Sequence, residues 1–178
     1  MAAYDGPVRE LLLGYKERGA AGLAGALAAP LATAARAAMG EAAGDRVLLV
    51  PAPSARGAVR ARGDDVVGLL AFGAARLLRA SGMSCRAASL LTQRRVVADS
   101  AGLSAAGRAD NLRHALGVRP GRTRRLTGAA VVVVDDLVTT GATLCESRRA
   151  LEEAGACVVG AATVAATRRH HFSATSPR

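Results

Sequence analysis

Four consecutive β-branched residues, Val131-Val132-Val133-Val134, run directly into two carboxylates, Asp135-Asp136. A strand with one wet face alternates apolar and polar residues, whereas a strand apolar at every position is buried on both faces, as in a parallel sheet. Both faces of such a sheet need helical cover, so the chain must alternate strands with helices. Residues 46–50 form a second continuous apolar run, stopped by Pro51-Ala52-Pro53, and residues 87–91, 129–134 and 157–165 read as further strands. Between them lie helical patterns. Asp5 caps the first, with Pro7 in its opening turn, and Val8, Leu11, Leu12 and Tyr15 carry it to Gly19. An alanine-rich helix covers residues 23–39, kinked or restarted at Pro30. Asp64-Asp65 opens a third, whose buried face holds Val66, Val67, Leu69, Leu70, Leu77 and Leu78. Residues 104–115 and 142–153 complete the helices, the last ended by Gly155.

At 178 residues and 51% hydrophobic, the chain can bury one core. The longest apolar stretch, residues 22–39, contains Pro30 and Arg36 and is a poor spanning helix. The opening MAAYDGPVRE carries charge early and has no basic segment before an apolar one, so the expected location is the cytoplasm, without membrane contact. Cys85, Cys145 and Cys157 form no C-x-x-C pair and read as buried small residues, and with His114, His170 and His171 they complete no metal-ligand spacing. The net charge of +10, from 24 basic against 14 acidic residues, favours anionic partners. Nucleic acid is the less favoured of these, because at 2% aromatic residues there is little material for a stacking platform.

The segment after the valines narrows the choice. Thr139-Thr140-Gly141-Ala142-Thr143 leads into a helix, so unpaired backbone N–H groups and the positive end of the helix dipole face the loop. That is a phosphate cradle, with threonine hydroxyls as extra donors and Gly141 allowing close approach. Asp135 and Asp136 repel phosphate, but as charged acceptors they bind sugar hydroxyls well. Ribose 5-phosphate has both parts in the required order.

The whole stretch VVVVDDLVTTGAT resembles the phosphoribosyl-pyrophosphate (PRPP) signature of type I phosphoribosyltransferases. Other segments are similar to the ComF-like branch of that family, named for a competence protein: Tyr4-Asp5-Gly6-Pro7, the Lys16 to Gly19 segment, Pro51-Ala52-Pro53-Ser54, Arg60-Ala61-Arg62-Gly63, Gly102-Leu103-Ser104, Arg108 and Asn111-Leu112. The four-cysteine zinc ribbon usual in that branch is not in this sequence, and Asp64-Asp65-Val66 stands where the branch often has Phe-Asn-Gln.

The resemblance implies a parallel-sheet α/β fold of the type I phosphoribosyltransferase kind, helices on both faces, with residues 1–44 as a helical segment of a small hood, 45–166 as the core and 167–178 as a polar tail. It implies ribose positioning by Asp135 and Asp136, 5'-phosphate binding by Thr139, Thr140, Gly141, Ala142 and Thr143, and pyrophosphate binding by Ala52, Pro53, Ser54 and Arg56. Lys16, Arg94, Arg95 and Asn111 become accessory residues, the two arginines opening a segment that closes over substrate. The implied reaction is phosphoribosyl transfer from PRPP to a base or amine, with magnesium on the departing pyrophosphate, and family members commonly form homodimers. A catalytically silent PRPP-binding protein, a sensor or a partner in DNA uptake, is the alternative the ComF resemblance offers.

Overall fold

The continuous apolar runs become the middle of a five-stranded sheet. A computed structural model of the chain describes residues 2–18, 21–40, 46–54, 65–95, 97 and 104–167. Its elements are β1 (Ala2–Ala3), α1 (Gly6–Arg18), α2 (Ala21–Met39), β2 (Val47–Pro51), α3 (Val66–Ala80), β3 (Cys85–Ala87), β4 (Leu91–Gln93), α4 (Ala105–Leu112), β5 (Leu116–Val118), β6 (Ala130–Val138), α5 (Ala142–Glu153) and β7 (Cys157–Ala166). The main sheet has strand order β1-β7-β6-β2-β3, and each neighbouring pair is parallel.

Alternate residues of the central strands feed two separate cores. Val47, Leu49, Val132, Val134, Ala162 and Val164 join a cluster with α1, α2 and α3 on one face. Leu48, Val50, Val131 and Val133 join a second cluster with Leu91, Leu116 and Leu151 on the other. The period of two thus divides one valine run between two hydrophobic layers. Both faces are covered, as the sequence predicts.

The helices form where capping and spacing allow. Asp65 caps α3 by accepting the Gly68 N–H at 3.2 Å, and a side chain at Gly68 would collide with that carboxylate. Tyr15, 2% exposed, donates its hydroxyl to the Val66 carbonyl at 3.1 Å, which ties α1 to the start of α3. Alanine dominates α2 because the helix is packed closely on two sides. A Cβ on Gly160 of β7 would stand 2.6 Å from the Ala38 carbonyl oxygen, and one on Gly73 of α3 would stand 2.9 Å from the Ala28 Cβ.

Several details differ from the sequence reading. The α2 helix passes through Pro30 without a break. Residues 87–91 are not one strand: β3 ends at Ala87, and Leu91 opens β4, which pairs antiparallel with β5 in a separate two-stranded ribbon. Ala88, Leu90 and Leu91 are buried in the second core, which accounts for an apolar run that crosses from one strand to the next. Leu69 and Leu77 are 46% and 38% exposed, outside the buried stripe of α3. Cys145 and Cys157 are exposed, and Cys85 alone of the cysteines is buried; burial, partly opposed by Arg79, pushes its thiol up to about 11. No described helix is long and apolar enough to cross a membrane.

The Gly160 contact makes a paired prediction. Gly160→Ala must push α2 off β7, at about 1–3 kcal/mol, whereas Gly25→Ala, exposed in the same helix with open space at its Cβ, should gain about 0.5–1 kcal/mol. Thermal or urea unfolding of the two variants should move in opposite directions.

Candidate functional site

Strand order places the site. From β2 the chain passes through α3 to β3 on one side, while from β6 it passes through α5 to β7 on the other, so the winding reverses between β2 and β6. Ligands of such sheets sit beyond the carboxyl ends of the strands at this reversal. Here the two ends are neighbours: Pro51 is in register with Val134, and the Ala52 N–H donates to the Val134 carbonyl at 2.8 Å. The segment Ala52-Pro53-Ser54 therefore faces Asp135-Asp136 across one strand spacing.

The carboxylates lie inside β6, not after it as the sequence reading has it. Asp135 is in register with Thr163, and pairing continues to Val138 with Ala166. Valine-like extension persists because β7 supplies partners for the whole length. Asp136 is only 4% exposed and Asp135 is half-buried. The Asp136 N–H donates to Asp135 Oδ1 at 2.8 Å, which orients the Asp135 carboxylate from its own backbone.

After Val138 the chain turns through Thr139, Thr140 and Gly141, whose φ of 82° is left-handed and favours glycine. Gly141 occupies the N-cap position of α5, so no N-cap side chain covers the helix start. The Ala142 N–H lies 3.4 Å from Thr140 Oγ1, and Cys145 is the first to bond back, to the Gly141 carbonyl at 2.9 Å. The first turn thus directs its N–H groups out of the helix, toward a small hollow that Asp135, Thr139, Thr140, Gly141 and Thr143 help to line. Next to it, between α4 and α5, lies a larger depression of about 330 Å³ bordered by Thr140, Ala142, Arg113 and Arg149.

A part-buried ion pair within α5, Glu146 with Arg149, ties the helix to β5 through Leu116. Glu146, 6% exposed, accepts the Leu116 N–H at 3.0 Å and Arg149 Nε at 2.7 Å, while Arg149 also donates to the Leu116 carbonyl at 3.1 Å. Burial alone would push the Glu146 carboxyl up, but the hydrogen bonds from Arg149 and Leu116 outweigh it and hold the group below its ordinary value. The same contacts, with Glu153, push the Arg149 guanidinium up.

Of the accessory residues, Arg95 and Asn111 come together: Arg95 donates to the Asn111 and Arg113 carbonyls at 2.8 and 2.9 Å. Arg94 packs along Gly117 of β5, and its N–H donates to the Ala115 carbonyl. In the Pro-x-Pro segment, the Ala52 N–H is engaged in the sheet and Pro53 has none, so Ser54 is the described residue there able to present one. Arg56, Arg60, Arg62 and the Gly102-Leu103 pair lie outside the described residues, as does the side chain of Lys16. Arg108 was not singled out for the site by the sequence reading, yet its NH1 lies 3.5 Å from Thr139 Oγ1. Nothing in sequence announces a contact across 31 positions.

Residues 83–172, half of the chain, match the family model of the phosphoribosyl transferase domain. The chain belongs to this family. The phosphoribosyl transferase match spans β6, the threonine loop and α5. An adenine phosphoribosyltransferase of Corynebacterium kroppenstedtii is 51% identical over 39 residues, 22% of this chain and 21% of that protein. The matched part is thus about a fifth of the relative's length. Among the described residues no group of three or more His, Cys, Asp or Glu side chains forms a metal cage. Asp135, half-buried at the hollow of the threonine turn, offers carboxylate oxygen of the kind a hard cation takes alongside oxygens from a ligand.

The Glu146 pair should be visible in stability. Its folded pKa lies below the ordinary 4.5, so its contribution is complete above that value and is lost as pH falls through the lowered one. Glu146→Ala should cost about 3 kcal/mol at pH 7, and Glu146→Gln should lose less stability than the parent on acidification below pH 4.5, both read by chemical unfolding.

Proposed function

We propose that this chain is a magnesium-dependent phosphoribosyltransferase that binds PRPP and transfers its phosphoribosyl group to a nitrogen acceptor, releasing pyrophosphate. The carrying observation is one of placement. A carboxylate pair and a helix start without a capping side chain, five residues apart, share the carboxyl edge of the sheet where β2 and β6 adjoin. A ribose 5-phosphate fits that order, hydroxyls on Asp135 and Asp136 and phosphate on the residue 139–143 turn.

In this reading residues 45–166 carry the site, and within residues 1–44 β1 extends the sheet while α1 and α2 cover one of its faces. Asp135 and Asp136 orient the ribose ring, and no covalent bond to the protein forms. The C1–oxygen bond to pyrophosphate breaks, the acceptor nitrogen bonds to C1, and the acceptor loses a proton. Magnesium, when bound, neutralises charge on the departing pyrophosphate. Ser54, with Ala52 and Pro53 setting its position, and Arg56 receive that group. The carboxylates cannot serve the phosphates without such a cation.

The acceptor is a base or amine, and the name of the adenine phosphoribosyltransferase relative makes adenine the first to try. Ser104, Arg108 and Asn111-Leu112 support the ComF-like branch, in which the same ligand could bind without turnover as a signal or in DNA uptake. A homodimer in the cytoplasm accords with this family reading. Calorimetric titration of magnesium-PRPP separates the readings. The parent should bind, and D135N/D136N should bind at least about a hundredfold more weakly, given the strength of charged hydrogen bonds. Pyrophosphate release with adenine or another nitrogen acceptor establishes the enzyme. Binding without release across a panel of bases and amines establishes the silent binder, and a folded parent that binds no PRPP contradicts both.

A further inference from the structure

We propose that Arg108 is a phosphate-binding residue of this site, reaching the residue 139–143 turn from the α4 side beside Thr139; the inference rests on the PRPP reading above. Arg108 stands on the first turn of α4, where Ser104 caps the helix by accepting the Gly107 N–H at 3.1 Å and the Arg108 N–H donates to the Ser104 carbonyl at 2.9 Å. Its position is therefore set by the helix start. Its guanidinium reaches Thr139 on the loop with a contact of 3.5 Å, at the outer limit for a hydrogen bond. That contact engages NH1 alone and leaves Nε without a partner.

Two observations set Arg108 apart from its neighbours. Arg113 pairs with Asp110 at 2.8 Å, Arg148 with Glu152 at 2.7 Å and Arg149 with Glu146 at 2.7 Å, while Arg95 donates to two carbonyls. Among the described residues no carboxylate pairs with Arg108, so it keeps a full charge beside the loop. Its Nε is also shielded from water with no hydrogen-bond partner. A buried unsatisfied donor is costly, and an oxyanion on this edge of the guanidinium would relieve it.

Electrostatics favours such a group. A sugar phosphate must be held within a few residues of Asp135 and Asp136, and a helix terminus offers only about half a positive charge. Arg108 supplies a whole one, in a planar fork that matches phosphate oxygens.

The test uses ribose 5-phosphate, which carries this phosphate and no pyrophosphate, and PRPP, titrated into the parent protein, Arg108→Gln and Arg108→Lys. Both ligands should weaken by roughly tenfold to a hundredfold in the glutamine variant, and the lysine variant should fall between, keeping the charge and losing the fork. Melting temperatures should stay close to the parent's, since Arg108 makes no ion pair there; if the glutamine variant does not fold, the lysine variant decides by the same weakening. Parent-like affinity in the folded variants overturns the role of Arg108 and leaves the transferase reading standing. A parent protein that binds neither ligand overturns both.

Discussion

The pairing of β2 with β6 is the contact on which the rest depends. Five consecutive register positions, from Val47 with Ala130 to Pro51 with Val134, bring together two strands that lie far apart in the chain. Each is buried on both faces, so a slip of one residue would move every side chain into the wrong core. Within the valine run such a slip would only put one valine where another stood, but it would also shift Asp135 and Asp136 relative to Pro51 and Ser54. Core packing thereby fixes the geometry of the polar edge.

The same division of labour explains the helices. On one side α1, α2 and α3 pack with small residues, Gly73 against Ala28 and Gly160 against Ala38, and give a thin, close layer. On the other side α5 is held by the bonds of Glu146 and Arg149 to the Leu116 backbone and by Leu151 in the second core. That side carries the exposed helix start, so its anchor is electrostatic as well as hydrophobic. An unpaired Glu146 would be costly where it stands, and its bonds to Arg149 and Leu116 hold α5 against β5.

Much of this was legible in the residues. The valine run predicted a buried parallel strand, and the span 142–153 of α5 agrees with the structure because Gly141 and Gly155 mark both ends. Less legible were short elements. Leu116-Gly117-Val118 is too brief for a periodic signal and contains a glycine, and it forms a strand because Leu91–Gln93 and Glu146 supply its partners. Leu69 and Leu77 were misplaced because hydrophobicity alone does not locate the buried stripe of a helix. In the site, the carboxylates and threonine loop are contiguous and could be read directly. Arg108 and Glu146 act across about 30 residues, and only the fold brings them to their partners.

A sugar phosphate received by the turn from β6 into α5 should be visible in a titration of ribose 5-phosphate, followed by the backbone amide resonances of the isotopically labelled protein. The largest shifts are expected at Thr139 to Leu144, where the helix start presents its N–H groups, with smaller ones at Asp135 and Asp136. Saturable shifts confined to other elements, with this turn unchanged, would rule out the sugar-phosphate site.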